Sequence, residues 1–127
     1  MMNGLSLGEH SKLTVPPSQR DRIRTFYEDV LGCVITRKSD AVDVFKIGAS
    51  FYLAAVYDDA ALSESQSFKS IWLELRTDNP AELKARILAF GIAEIDYWDK
   101  EHFYFQAPGG QVFRLAPRDD DMSRFES

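Results

Sequence analysis

The sequence predicts an α+β fold in which two tandem βαβββ modules form a curved mixed sheet around a cleft. Three observations predict it. Two stretches of the chain share one order, a strand-type run followed by a helical run and three further strand-type runs. Markers recur at a near-constant offset: Ser70 follows His10 by 60 residues, Gly91 follows Gly32 by 59, and Gly110 follows Gly48 by 62, the mark of a duplicated unit. The length of 127 residues suits one domain of the usual ~100–150 residues. The expected organisation is therefore a single domain, with module one at about 10–57, a linker at 58–67, module two at about 68–117 and a polar tail at 118–127.

Each element has a local reason. Leu13 and Val15 alternate with Lys12 and Thr14 until Pro16 and Pro17 stop the run, so a short strand with one apolar face opens module one. Over 18–31, Ile23, Phe26, Tyr27, Val30 and Leu31 recur at helical spacing, and Gly32 stands just past the end as a cap. Strand-type runs follow at 34–37, 42–47 and 51–56, separated by Ser39-Asp40 and by Gly48-Ala49-Ser50. The linker is rich in Asp, Ala and Ser. In module two, Ile71, Trp72, Leu73 and Leu75 give the first strand. Asn79-Pro80-Ala81-Glu82 starts a helix with a cap, a first-turn proline and an acid three residues on. Leu83, Ile87 and Phe90 form its apolar stripe before Gly91. Strands are expected at 92–98, 102–106 and 111–116, the last two joined by the turn Ala107-Pro108-Gly109-Gly110.

Composition excludes several classes of function. The net charge is −5, from 15 basic and 20 acidic residues, and the basic residues are scattered, which argues against a nucleic-acid partner. Cys33 is the one cysteine, so neither an internal disulfide nor a Cys-rich zinc site can form; following a capping glycine, it reads as a buried structural thiol. No basic-plus-apolar leader opens the chain, and no run reaches the ~18–20 apolar residues of a membrane span. The expectation is a soluble cytoplasmic protein with no membrane partner. Asp119, Asp120 and Asp121 make the tail acidic and solvated.

A sheet with one helix covers only one of its faces, so the two modules would turn their open faces toward a shared cleft, the usual setting for a small-molecule site. Alternation assigns side chains to it. Leu13 and Val15 take the helix side, leaving His10, Lys12 and Thr14 to the cleft; Ile71, Leu73 and Leu75 take the helix side, leaving Ser70, Trp72 and Glu74. Four residues after their glycines, Tyr52 and Arg114 occupy corresponding places on the last strands. Trp72, Tyr52 and Tyr104 would line the cleft and stack on a planar or apolar ligand. Phe26, Phe90 and Phe113 belong to the core, with Phe51 and Phe105. His102 borders a turn and reads as solvent-facing.

Three segments carry a resemblance: His10-Ser-Lys-Leu-Thr-Val15, Phe26-Tyr-Glu-Asp-Val-Leu-Gly32 and Phe103-Tyr-Phe-Gln-Ala-Pro-Gly-Gly-Gln-Val-Phe-Arg-Leu115. Together they resemble the vicinal oxygen chelate superfamily, which contains glyoxalase I, extradiol dioxygenases and the bleomycin and fosfomycin resistance proteins. The resemblance covers about 10–116 and implies a glyoxalase-like fold and a homodimer. It also implies four metal-ligand places, which fall here on His10, Tyr52, Ser70 and Arg114. Of these only His10 has the expected chemistry, and a permanent cation at Arg114 would repel a metal ion.

The expected function is therefore that of a bleomycin-resistance-like protein that binds a small anionic or aromatic molecule between the modules, with no metal or other cofactor. Its site residues would be His10, Tyr52, Trp72, Glu74, Tyr104 and Arg114, with Arg114 as anchor. Other readings of the same residues stand beside this one. His10 can be a surface or structural histidine, Trp72 can be core, and Glu74 can pair with Arg114 rather than leave it for a ligand carboxylate. The alternative function is a metal-dependent lyase, isomerase or dioxygenase with an atypical ligand set that includes His10, so the sequence leaves open whether the chain is an enzyme. No paired base supports a catalytic residue.

Overall fold

The structure, a computed structural model, describes residues 4–120. Of the expected tail it includes Arg118, Asp119 and Asp120; residues 121–127, with Asp121, lie outside the described residues. The chain divides into two compact units between Ala61 and Leu62. No helix among the described residues is long and apolar enough to cross a membrane.

Unit one carries a four-stranded mixed sheet of β1 (His10–Val15), β2 (Val34–Lys38), β3 (Val42–Ile47) and β4 (Phe51–Tyr57), in the order β1-β4-β3-β2. β1 runs parallel to β4, and the other pairs are antiparallel. The expected helix at 18–31 forms as three successive windings: a 3-10 turn at Pro17–Gln19, α1 at Arg20–Thr25 and a π-helical turn at Phe26–Val30. The wider turn closes with the Leu31 N–H donating to the Phe26 carbonyl, 3.0 Å, five residues back. Ile23, Phe26, Tyr27 and Val30 are all buried, and the Tyr27 ring stacks on Phe45 at 4.7 Å. Burial pushes the Tyr27 hydroxyl above its ordinary range and the neighbouring Cys33 thiol up to about 11, so Cys33 is the inert core thiol its position suggests.

Strand alternation in β3 turns Asp43 inward beside Phe45, and both are fully buried. The carboxylate is satisfied on every side. Arg24 donates from Nε (2.7 Å) and Nη2 (3.1 Å), the Tyr57 hydroxyl donates at 2.7 Å, and the Ser39 N–H at 3.2 Å. These bonds tie α1 to β3, β4 and the turn at Ser39.

Unit two carries β5 (Trp72–Thr77), β6 (Phe103–Gln106) and β7 (Val112–Pro117), in the order β5-β7-β6, with β5 parallel to β7. Helix α2 (Glu64–Ser67) is one turn inside the expected linker, fixed by a capping box between Ser63 and Gln66. Helix α3 (Pro80–Phe90) packs against β5 and β7. Its cap forms as the sequence predicts: the Glu82 N–H donates to Asn79 Oδ1 at 3.1 Å, and Gly91 ends the helix at φ 108°. Phe103, Phe105, Phe113 and Leu115 are buried with Ile87. The phenylalanine rings sit 5.5 Å (Phe103–Phe105) and 5.6 Å (Phe105–Phe113) apart.

Several expectations change here. Residues 92–98 form no strand. Ile92 and Ile95 are three apart and fall on opposite sides of an extended chain, and a backbone bond to the sheet runs from the Ile95 N–H to the Tyr104 carbonyl at 2.8 Å. Exposed Glu94 and Asp96 add little strand propensity. Ile71 does not pack on the helix side; it precedes β5 and is 63% exposed. Phe90 and Phe51 are half-buried rather than fully core. His102 is not solvent-facing but buried, between two carboxylates.

At the turn before β7, Gly110 has φ 118°, and a Cβ there would meet the Ser67 Cβ at 3.0 Å. The turn is also held from α2, where Glu64 Oε2 accepts from the Gly109 N–H at 3.1 Å. Gly110→Ala should therefore lower stability by about 1–3 kcal/mol through strain and contact. Thermal melting checks this, and an unchanged Tm would refute it.

Candidate functional site

The expected site residues fall into two groups, one in each unit. In unit one, the parallel pairing of β1 with β4 sets His10 directly beside Tyr52. Their rings stack at 5.1 Å with an interplanar angle of 11°. The Tyr52 N–H donates to the Glu9 carbonyl (2.7 Å), and the Ser11 hydroxyl donates to the Tyr52 carbonyl (2.9 Å), so the strand ends are locked. The Lys46 ammonium lies 5.9 Å from the Tyr52 ring centre. His10 is exposed, so this is a surface stack of histidine on tyrosine.

In unit two, register brings four residues together. Arg114 on β7 stands opposite Glu74 on β5 and opposite Tyr104 on β6, so one row crosses the sheet on the side away from Phe105 and Phe113. Glu74 Oε2 accepts from Arg114 Nε (3.0 Å) and Nη2 (2.5 Å), while its Oε1 accepts from Arg76 Nε (2.7 Å). Burial alone would push the Glu74 carboxyl up, but the two guanidinium groups outweigh it and hold the group below its ordinary range. Arg114 is 5% exposed, and its Nη1 reaches Tyr104 Oη at 3.5 Å. Its guanidinium carbon lies 4.6 Å from the Trp72 ring centre, a cation–π contact. Tyr104 meets the Trp72 ring edge-on at 5.7 Å. Tyr104 itself is buried, so it backs Trp72 rather than lining an open surface. Trp72 remains 37% exposed.

Behind this row lies a cluster that sequence reasoning missed. Asp99 Oδ2 accepts from the Tyr104 hydroxyl at 2.9 Å and faces His102 Nδ1 at 2.7 Å and Arg114 Nη1 at 3.8 Å. His102 Nε2 faces Asp120 Oδ2 at 2.9 Å. Burial favours the neutral form of Asp99, but the Glu101 N–H, His102 and Tyr104 outweigh it and hold the carboxyl low. Tyr97 packs on Tyr104 at 4.5 Å and, with residues from Glu94 to Lys100, lines an open depression of about 300 Å³. The i, i+3 spacing of Asp99 and His102 was readable in the sequence. The contact with Asp120, 18 residues further on, had no local signal.

The residues in the implied metal places do not fit a divalent cation. Ser70 lies outside β5, and the neighbour of Arg114 on that strand is Glu74, whose two oxygens are both taken by arginines. A triad of His10, Glu74 and a further carboxylate fares no better, since the Glu74 carboxylate has no free oxygen to offer. Among the described residues, no group of three or more His, Cys, Asp or Glu is placed to hold a metal ion.

The two βα units and their mixed sheets define a glyoxalase-like α+β fold. Solved structures bear this out. The chain is similar to the fosfomycin resistance protein FosX of Listeria monocytogenes, at 17% identity and TM-score 0.72, covering 99% of this chain and 98% of that one. It is similar to the trypanothione-dependent glyoxalase I of Leishmania major, at 19% identity and TM-score 0.69, covering 96% and 94%. An antibiotic binding protein from Streptomyces sp. CB03234 matches at 19% identity and TM-score 0.62, covering 91% and 98%. At these identities the likeness is one of fold. No family model matches the sequence, and no curated protein does.

Proposed function

We propose that this chain binds a small planar molecule on the Trp72 face, holding it by stacking and without a metal ion. One observation carries the reading: Trp72 keeps over a third of its surface open while a buried guanidinium and the edge of Tyr104 fix its ring. A ring held on a strand loses little entropy when it binds, which is what makes an effective stacking platform. Arg114 is not the free anchor for an anion that its position suggests, because Glu74 neutralises it from within the sheet. The preferred ligand is thus aromatic, and a negative charge adds little. That an antibiotic binding protein shares the fold supports a sequestering role. In this reading the chain is one domain of two modules and acts as a cytoplasmic homodimer, with no nucleic-acid or membrane partner.

Calorimetric titration with 2-naphthol and 2-naphthoate tests it. Both should bind with similar affinity, and EDTA should change neither. Trp72→Ala should weaken binding roughly 30-fold, the ~2 kcal/mol of a stacked hot-spot ring. Unchanged affinity in that variant, or stoichiometric transition metal in the purified protein, would overturn the reading. A strong preference for 2-naphthoate would restore Arg114 as an anion anchor.

A further inference from the structure

The face of the unit-one sheet that points away from α1 gathers basic side chains. Alternation and register put His10 and Lys12 of β1, Lys46 of β3 and Arg37 of β2 on it, around Tyr52 and Ala54 of β4. Among the described strand residues that alternate onto this face none is acidic, because Asp43 points the other way, into the core. In a chain of net charge −5 this is a segregation of charge, and like charges on one face repel each other. Among the described residues, none of the four basic side chains pairs with a carboxylate. The Lys12 ammonium donates instead to the Thr14 hydroxyl at 2.9 Å, and that of Lys46 lies near the Tyr52 ring, so both partners are uncharged. Unit two does the opposite, since Glu74 neutralises Arg114.

We propose that this face binds a phosphoryl dianion, held by the ammonium groups of Lys12 and Lys46, with the His10 ring and the Tyr52 hydroxyl donating beside them. Two ammonium charges match the two of a phosphomonoester, whose second ionisation lies near ~6. Lys12 and Lys46 stand diagonally across β4, roughly 12 Å apart at Cα by strand spacing and rise, a span that two flexible four-carbon stems can close. Ala54 lies half-buried between them, and its methyl group leaves open the space that a longer side chain would fill. An ammonium has three N–H donors, so Lys12 keeps two beyond its bond to Thr14. A carboxylate brings half the charge and one oxygen fewer. The site goes beyond the Trp72 reading and shares no residue with it.

Calorimetric titration of the full chain with phenyl phosphate, inorganic phosphate and benzoate tests it, at about pH 7.5 where the phosphoryl group is a dianion. Phenyl phosphate should bind, and benzoate should bind roughly tenfold more weakly. Lys12→Gln and Lys46→Gln should each weaken phenyl phosphate about tenfold, the worth of one charge-assisted hydrogen bond. Lys84→Gln removes the same charge from α3 in unit two and should leave the affinity unchanged. An equal loss in Lys84→Gln reports general attraction to the chain's cations and overturns the proposal. So does unchanged affinity in the Lys12 and Lys46 variants, benzoate binding as tightly as phenyl phosphate, or no binding of phenyl phosphate at all. Should one variant fail to fold, its melting curve shows it and the other carries the test. Inorganic phosphate binding as tightly as phenyl phosphate upholds the site as one for the free anion; weaker binding upholds it as one for phosphomonoesters. Inorganic phosphate has no ring to stack, so failure of 2-naphthol to bind leaves this site standing, and failure of both phosphates leaves the Trp72 reading standing.

Discussion

Asp43→Ala should destabilise the protein by about 3–5 kcal/mol, the usual cost of breaking a buried ion pair from one side. Folded domains are stable by only about 5–15 kcal/mol in total, so this is a large share. Asp43 is fully buried and accepts four hydrogen bonds, from Arg24, Tyr57 and Ser39. Removing it leaves the Tyr57 hydroxyl and the Ser39 N–H without their acceptor and strips α1 of its tie to the sheet. The same pair sets an acid dependence. Burial favours the neutral carboxyl, but Arg24, Tyr57 and Ser39 hold it below its ordinary range. A depressed native value means that the stabilisation is present above the unfolded value of ~3.9 and is lost as pH falls through the native one. The gap between wild type and Asp43→Asn should therefore be full near neutrality and close in acid. Urea titrations at several pH values measure it, and a gap constant with pH would contradict this account.

Arg114→Met should cost about 2–3 kcal/mol, less than a fully buried pair because Arg76 still serves Glu74 and its carboxylate is partly open to solvent. Binding should suffer as well, since the guanidinium under Trp72 is gone. Adding Glu74→Leu should recover most of the lost stability, because the carboxylate that lost its partner is removed with it. The recovery is read as the coupling energy of a double-mutant cycle. Strict additivity would show that Glu74 and Arg114 do not act as a pair.

The fold was largely legible in the sequence because its signals are local. The Asn79-to-Glu82 cap and the apolar stripe at Ile23, Phe26, Tyr27 and Val30 each need only a few neighbouring residues. The strand at 42–47 was equally plain, and alternation within it also puts Asp43 on the face of Phe45, a signal that locates the buried carboxylate. The candidate site was less legible because it depends on register. His10 pairs with Tyr52 across 42 residues, but Glu74 pairs with Arg114 across 40. A difference of two keeps every side chain on its face and changes its neighbour. The repeat offsets pointed Arg114 to Ser70, 44 residues back, whereas its observed partner Glu74 lies four residues further along the chain, an even step that keeps the same side by alternation. Spacing also could not bring Asp120 to His102, which depends on how the chain leaves β7.

The enclosed pair of Glu74 and Arg114 also bears on selectivity. A cation neutralised from within offers a visiting molecule little formal charge, and what the Trp72 face presents outward is a large polarisable ring. Dispersion over such a ring grows smoothly with the area of the partner and is indifferent to where its substituents sit. Discrimination at this face would then be graded by ring size, giving a breadth of planar guests rather than one tightly chosen ligand.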